Sequence, residues 1–339
     1  MSADQQSAPL QNATRHRRER LAIGAVLLLW LLWVCGQVCR DATWISGALF
    51  YIPSPVCLLL VSACACFAWR RERRRTAAAL VACALVPGVF VLGVENRLTA
   101  RQQAAPSGEP LRLVHWNVCR GHAGWSGLAE EIRRCAPDLC VLSEIPKTAD
   151  ISQFASSLGQ DYSGIRFSNL AVVAHGLLQG GEWLHRQRGR MKVYGVLWQS
   201  PQGMCRAMVV DLDSNPFLAR ELRLLVVRKL MVDWRADIVA GDFNAPRRSR
   251  ALSPLPTGFS HAYDAVGSGW SYTWPLPCPV YAIDQCILGA RVRPLRYHLE
   301  SSWRSDHRRQ ILEFTLEPKA HPLAAAAADR PRPLLPPSP

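Results

Sequence analysis

The sequence predicts an α/β domain of packed mixed sheets with helices outside, preceded by three transmembrane helices. Three observations predict it. The excess of apolar residues lies before residue 95, in stretches without charge. From Leu111 onward, short apolar runs alternate with helix-like stretches in a mixed order, unlike the regular alternation of an all-parallel sheet. Polar residues recur where those runs end. A chain of 339 residues is long enough for a membrane segment and one globular domain of about 200 residues.

The first part of the chain, residues 1–20, is a basic N-terminus. Leu21 to Val38 then carries no charged residue, and its length approaches the roughly 20 residues a helix needs to cross the hydrocarbon. Trp44 to Trp69 is a second uncharged stretch, interrupted by Pro53 and Pro55 near its start, and Ala77 to Val94 is a third, with Pro87 inside it. A membrane helix tolerates such a proline when its neighbours satisfy the freed carbonyl. The spans are therefore expected over about 21–39, 45–69 and 77–94. A cleaved signal peptide would account for the first stretch alone, and two more follow it.

Flanking charge sets the expected topology. Arg15, Arg17, Arg18 and Arg20 precede the first span, and Arg70, Arg71, Arg73, Arg74 and Arg75 fill the loop between the second and third. The intervening connection holds only Arg40, beside Asp41. The positive-inside bias keeps the N-terminus and the Arg-rich loop cytoplasmic. Three crossings then place everything after Val94 on the extracytoplasmic face of the cell (inner) membrane. Uncharged spans offer no polar path, which argues against a transporter or channel.

Glu95 to Pro110 reads as a polar linker, residues 111–318 as the globular domain, and residues 319–339 as a disordered tail of Ala, Arg-Pro and Pro-Pro. The net charge is +14, from 40 Lys+Arg against 26 Asp+Glu. Twelve of the basic and six of the acidic residues fall at or before Glu109, which leaves +8 after it. That balance suits anionic partners such as phosphodiesters or acidic lipid headgroups, although an arginine-rich surface without a dense cluster gives the same excess. None of the twelve cysteines forms a paired C-x-x-C arrangement, so a structural zinc site is not indicated and disulfide pairing stays open.

Within the domain, Leu111 to Trp116 reads as a strand ending at Asn117, and Leu128 to Cys135 has apolar positions at helical spacing before Pro137. Leu139 to Leu142 is a buried-type strand ending at Glu144. Ala171 to Val173, Val193 to Trp198 and Ala207 to Val210 are further strands, and Phe217 to Trp234 has the length and periodicity of a helix. Asp237 to Ala240 runs into Gly241-Asp242-Phe243-Asn244, and Ile283 to Leu288 and Ile311 to Leu316 close the domain.

Asn117, Glu144, Asp242, Asn244, Asp284, Asp306 and His307 each lie within or just after an apolar strand, where the backbone is stiff. Carboxylates and amides held there suit a hard, oxygen-seeking cation such as Mg²⁺. Hydrolysis of a metal-bound phosphate needs charge neutralised, a water activated and the departing oxygen stabilised. Singly, each residue has a structural explanation. Asn117 and GDFN suit turns, Asp284 an arginine partner, and Asp306-His307 an exposed loop.

The order WN, PDLCVLSE, GDFN, ID and SDH resembles the endonuclease/exonuclease/phosphatase superfamily, also called deoxyribonuclease-I-like, from about Leu111 to Leu316. The resemblance implies an α/β (α+β) four-layered sandwich with its active site at one edge of two packed sheets. It implies Glu144 as principal metal ligand, with Asn117 and Asp306 beside it, for Mg²⁺ or Mn²⁺. Asp242 is similar to the residue that orients or deprotonates the attacking water, and Asn244 to an amide donor to phosphate. His307 matches the histidine on the scissile phosphate, with Asp284 fixing its tautomer. Asn169, in SNLAVV, resembles an asparagine that lines the site.

Three departures bear on the substrate. Asp211 stands where many relatives have a phosphate-contacting histidine, and it is expected to act as a further ligand or to face a different substrate. Cys119 replaces an acidic residue, and Gln285 a His or Tyr. The expected function is Mg²⁺-dependent hydrolysis of a phosphodiester or phosphomonoester by attack of an activated water, with nucleic acid as the first candidate substrate. The alternatives are a lipid or headgroup phosphodiesterase at the bilayer, or a membrane-held binding protein that kept the fold. No protein partner is inferable.

Overall fold

The computed structural model describes residues 4–99, 108–187, 190–215, 218 and 220–318, with side chains from Thr14 onward. The expected tail, and residues 100–107 of the expected linker, lie outside the described residues. Helix α1 (Asp4–Cys39) is longer than the first apolar stretch. Helices α2 (Trp44–Phe50) and α3 (Ser54–Arg70) follow, then α4 (Arg74–Val89), which runs into a π-helical turn at Phe90–Glu95.

Two helical segments, Thr14–Cys39 and Arg74–Glu95, are long and apolar enough to cross a membrane. The second expected span, 45–69, is not one helix, because α2 and α3 meet at 59° and count as a span only if the bent pair crosses together. The reason is local. Pro53 is extended (φ −68°, ψ 128°) and Pro55 occupies the first turn of α3, where its missing N–H costs nothing. The three segments pack through the buried Trp33, Cys57, Val61 and Leu80. The indole of Trp33 donates to Ser54 Oγ at 3.1 Å.

The domain comprises β1 (Leu111–Asn117), α5 (Trp125–Arg134), β2 (Leu139–Ser143), α6 (Ile151–Leu158), β3 (Tyr162–Phe167), β4 (Leu170–His175), β5 (Leu177–Gln187), β6 (Met191–Ser200), β7 (Gly203–Leu212), α7 (Arg220–Asp233), β8 (Ile238–Asp242), β9 (Ser260–His261), α8 (Ala262–Val266), β10 (Asp284–Leu288), β11 (Val292–Glu300) and β12 (Arg309–Leu316). They form two six-stranded sheets, ordered β11-β12-β1-β2-β4-β3 and β5-β6-β7-β8-β10-β9. Both are mixed. β1 pairs parallel with β2 and β7 with β8, while the remaining pairings are antiparallel.

The core has three apolar zones between four layers. One fills the space between the sheets, a second lies between the first sheet and α5 and α6, and a third lies between the second sheet and α7. The expected four-layered sandwich is the fold. Side chains alternate across a strand, and this alternation positions the chemistry. On β1, Leu111 and Leu113 enter the central zone, so His115 and Asn117 point the same way. On β7, Cys205, Ala207 and Val209 do so and bring Asp211 with them. On β8, Ile238 and Ala240 bring Asp242, and on β10, Leu288 and Cys286 bring Asp284.

The strands without a sequence expectation are β3, β5, β9 and β11. β3 and β9 are edge strands, and β5 and β11 also end their sheets; β5 is exposed along most of its length. A strand covered on one side, or on neither, lacks a continuous apolar run.

Candidate active site

Strands β1, β2 and β8 end beside the start of β10, and these strand ends and the turns next to them carry the polar residues. Asn117 closes β1. Glu144 follows β2 in a left-handed conformation (φ 54°), and Asn244 has φ 47° two residues after β8. Such positive φ is costly for a residue with a side chain, about 1 kcal/mol or more, and clusters at functional sites. Gly241 is required by packing. A Cβ there would lie 1.9 Å from the carbonyl oxygen of Val210 on the parallel neighbour β7.

Asn117 links the carboxylates. Its Nδ2 donates to Asp242 Oδ2 at 3.0 Å and lies 3.4 Å from Glu144 Oε1, while its Oδ1 accepts the Cys119 N–H. Asp242 Oδ1 accepts the backbone N–H of Asn244 at 2.8 Å, the Asx turn that the GDFN sequence suits. The Asn244 amide nitrogen donates to the carbonyl of Leu212. Glu144 also meets Arg120, Nε to Oε2 at 3.4 Å.

His307 is fixed from three directions. Its Nδ1 lies 2.8 Å from Asp284 Oδ2, its carbonyl accepts from the Trp116 indole, and its N–H donates to Ser305 Oγ. Ser305 Oγ in turn donates to the carbonyl of Asn117 at 2.6 Å, locking the SDH turn to the end of β1. Asp306 Oδ2 accepts from the Trp274 indole at 2.9 Å. Of the nine expected site residues, Asn117, Glu144, Asp242, Asn244, Asp306 and His307 line one pocket of about 530 Å³, with Asp284 buried behind His307.

Asn169 and Asp211 do not line it. Lys192 lies opposite Asp211 in the β6–β7 register, and its Nζ donates to Asp211 Oδ2 at 2.6 Å and to Asn169 Oδ1 at 2.7 Å. The carboxylate that replaces the expected histidine is thus held in an ion pair beside Asp242, its neighbour in the β7–β8 register. Gln285 is a buried structural residue whose amide donates to the carbonyls of Ala245 and Ala282. Sequence reasoning missed Lys192, Trp274, Ser305 and the buried Arg220. The only signal for Lys192 was its place opposite Asp211 once the β6–β7 pairing is known.

Electrostatics separate the carboxyls. Burial, then the neighbouring Asp284, pushes Asp242 up to about 8. Burial also works to raise Asp284, but the His307 charge and hydrogen bond outweigh it and leave that carboxyl below its usual range. For His307, burial favours the neutral ring. The charge of Asp284 and its hydrogen bond prevail, with Asp242 and Asp306 adding to them, and raise the imidazole to about 9. Burial chiefly raises the Cys119 thiol to about 11, helped by Asp306 and then Glu144, which places Cys119 near both carboxylates. No disulfide joins any of the twelve cysteines.

The donor set fits a divalent cation. Ligand atoms of Asp242, Asp284 and His307 all lie within 4.8 Å of one another, and buried oxygens of Asp284 and Asp306 (Oδ1 in each) have no hydrogen-bond partner among the described residues. The short His307–Asp284 bond engages two of that trio, and Glu144, Asp306 and Asn117 line the same pocket as Asp242 and His307.

This fold and site define a phosphoester hydrolase. The profile of the endonuclease/exonuclease/phosphatase family matches residues 114–307, more than half of the chain, and the chain belongs to that family. No curated protein matches it. Among solved structures, D. rerio TDP2 humanized by 14 mutations is 18% identical, with TM-score 0.50, covering 61% of this chain and 99% of that one. The human Nocturnin catalytic domain with bound sulfate is also 18% identical, with TM-score 0.49 and coverage of 61% and 93%. An endonuclease/exonuclease/phosphatase family protein of Bacteroides thetaiotaomicron is 13% identical, with TM-score 0.47 and coverage of 63% and 97%.

Proposed function

We propose that this chain is a membrane-anchored phosphoesterase, dependent on Mg²⁺ or Mn²⁺, that hydrolyses its ester by attack of an activated water. The observation that carries the reading is the convergence of six chemistry-bearing residues, from three separated strand ends and one loop, in one pocket. Glu144, Asp306 and Asn117 would hold a divalent cation, which would supply charge neutralisation at the phosphate.

The remaining roles follow from the chain. Asp242, held by hydrogen bonds from Asn117 and Asn244 and raised to about 8, orients the water and accepts its proton. His307 engages Asp284 through Nδ1, which leaves Nε2 to meet the phosphoester and deliver a proton to the departing oxygen. Asn244 contributes an amide to the phosphate oxygens. Asn169, from the β3–β4 turn, and Lys192 hold Asp211 beside Asp242, so that Asp211 and Asn169 position the base rather than touch substrate.

The apolar segments are the anchor. Glu19 of α1 pairs with Arg71 and Arg73 between α3 and α4, which keeps the Arg-rich ends of the segment together. At the other end, Ser54 Oγ donates to Glu95 Oε1 at 2.8 Å. Three crossings, with the α2–α3 pair as the bent second one, satisfy both contacts and put the domain outside the cytoplasm.

Full-length protein in detergent tests the reading with bis(p-nitrophenyl) phosphate. Turnover is expected with Mg²⁺ or Mn²⁺ and lost with chelator, and in Glu144→Ala and His307→Ala. Metal binding without turnover would instead favour the binding-protein reading.

A further inference from the structure

Part of the pocket wall lies outside the family-matched residues 114–307. Ala48 of α2 and Tyr51, its C-terminal cap, line the same pocket as Asp242 and His307. Tyr51 is bonded directly to the site. Its hydroxyl donates to the carbonyl of Asn244 at 2.8 Å, and its own carbonyl accepts from the Tyr281 hydroxyl at 2.9 Å.

The connector is fastened along its length. Gln37 Oε1 accepts from Arg248, Asp41 Oδ1 accepts the backbone N–H of Arg250, and the Arg40 guanidinium donates to the carbonyls of Arg248 and Ser253. Glu95 joins the start of α3 to the domain through Ser54 and the Tyr272 hydroxyl. The stretch expected as a linker therefore begins as a docked joint.

Two further features suggest what this composite wall receives. Trp44 and Ile45 on α2 are exposed apolar residues beside the membrane helices, and Ala48, exposed one turn after Trp44, lies on the same face. Tryptophan at the end of a membrane span sits at headgroup level, so the bilayer-facing side of α2 continues into the pocket. Arg220 also lines the pocket. It is 5% exposed, its guanidinium lies 5.1 Å from the Tyr51 ring centre, and its Nε and Nη1 have no hydrogen-bond partner among the described residues. A buried cation with unused donors is costly unless an anion completes it.

We infer that the pocket takes a phosphoester carried by a lipid of the bilayer, its anion met by Arg220 and its lipid portion laid along Ala48 and Tyr51. This rests on the phosphoesterase reading and narrows its substrate class. A nucleic acid gains nothing from a wall built by the membrane segment.

The test uses the full chain in phosphatidylcholine nanodiscs, with turnover of bis(p-nitrophenyl) phosphate as the readout. Dioleoyl phosphatidic acid in the disc, glycerol 3-phosphate and a single-stranded oligonucleotide compete at equal total phosphate. Phosphatidic acid is expected to inhibit at a concentration at least about ten-fold lower than either soluble competitor. Ala48→Trp, at an exposed position, is expected to remove that advantage, and Arg220→Gln to weaken phosphatidic acid and glycerol 3-phosphate alike. Tyr51→Leu serves if Ala48→Trp does not fold. A smaller advantage, or one that survives in Ala48→Trp or its substitute as mere concentration at the surface, overturns the inference while turnover of the soluble ester upholds the phosphoesterase reading. No turnover of that ester overturns both.

Discussion

His307 and Asp284 form a buried pair, Nδ1 to Oδ2 at 2.8 Å, although 23 residues and two turns separate them in the chain. The pair raises the imidazole to about 9 and leaves the carboxyl below its usual range, against a burial penalty on both. In Asp284→Asn, burial acts on His307 without that charge. Its titration, followed by NMR of the imidazole, is expected to fall by at least about one unit. An unchanged value would mean that Asp242 and Asp306 hold the proton.

The same pair predicts a pH window for stability. The raised His307 contributes fully below its ordinary value of 6.5 and loses the contribution as pH rises through about 9. The lowered Asp284 contributes above its ordinary value of 3.8 and loses it as pH falls. The melting-temperature gap between wild type and Asp284→Asn is therefore expected to be widest between those ordinary values and to close above pH 9.

Asp242 predicts proton release on metal binding. Burial, then Asp284, raises it to about 8, so a cation drawn to the cluster displaces a proton below that pH. Affinity for Mg²⁺ is expected to climb by up to about ten-fold per pH unit until pH 8 and then level off. Calorimetry in buffers of different ionisation enthalpy measures the proton directly.

Gly241→Ala tests the close approach of β7 and β8. A methyl group 1.9 Å from the carbonyl oxygen of Val210 forces backbone apart at a central strand pairing. A loss of about 3 kcal/mol is expected from denaturant melts.

Lys192→Met leaves Asp211, 13% exposed, without its cation. A loss of about 2 kcal/mol is expected, and Lys192→Met with Asp211→Leu should recover most of it. If the double variant is as unstable as Lys192→Met alone, the unpaired Asp211 charge is not the source of the loss.

Much of the site was legible because its residues sit at the ends of strongly apolar strands. The period of two in β1, β8 and β10 already sets Asn117, Asp242 and Asp284 on the faces that carry the core residues. The short motifs around the strand ends give the other pocket residues and the order of the family. Asp211 is expected at the site because it stands where relatives carry a histidine, and sequence offers no view of its partner across a sheet. Lys192 is its partner only once β6 pairs with β7 in a definite register.

The sequence by itself determined the apolar segments, the packed sheets and the polar residues at the strand ends, since burial and strand alternation are properties of local pattern, and its resemblance to the family implied the four-layered sandwich. Only the tertiary structure decided that the second apolar stretch bends at Pro53, that Arg220 is buried under Tyr51, and that Ala48 and Tyr51 wall the pocket. Those contacts join residues nearly two hundred positions apart, and no local periodicity encodes which surfaces of two separately apolar units will meet.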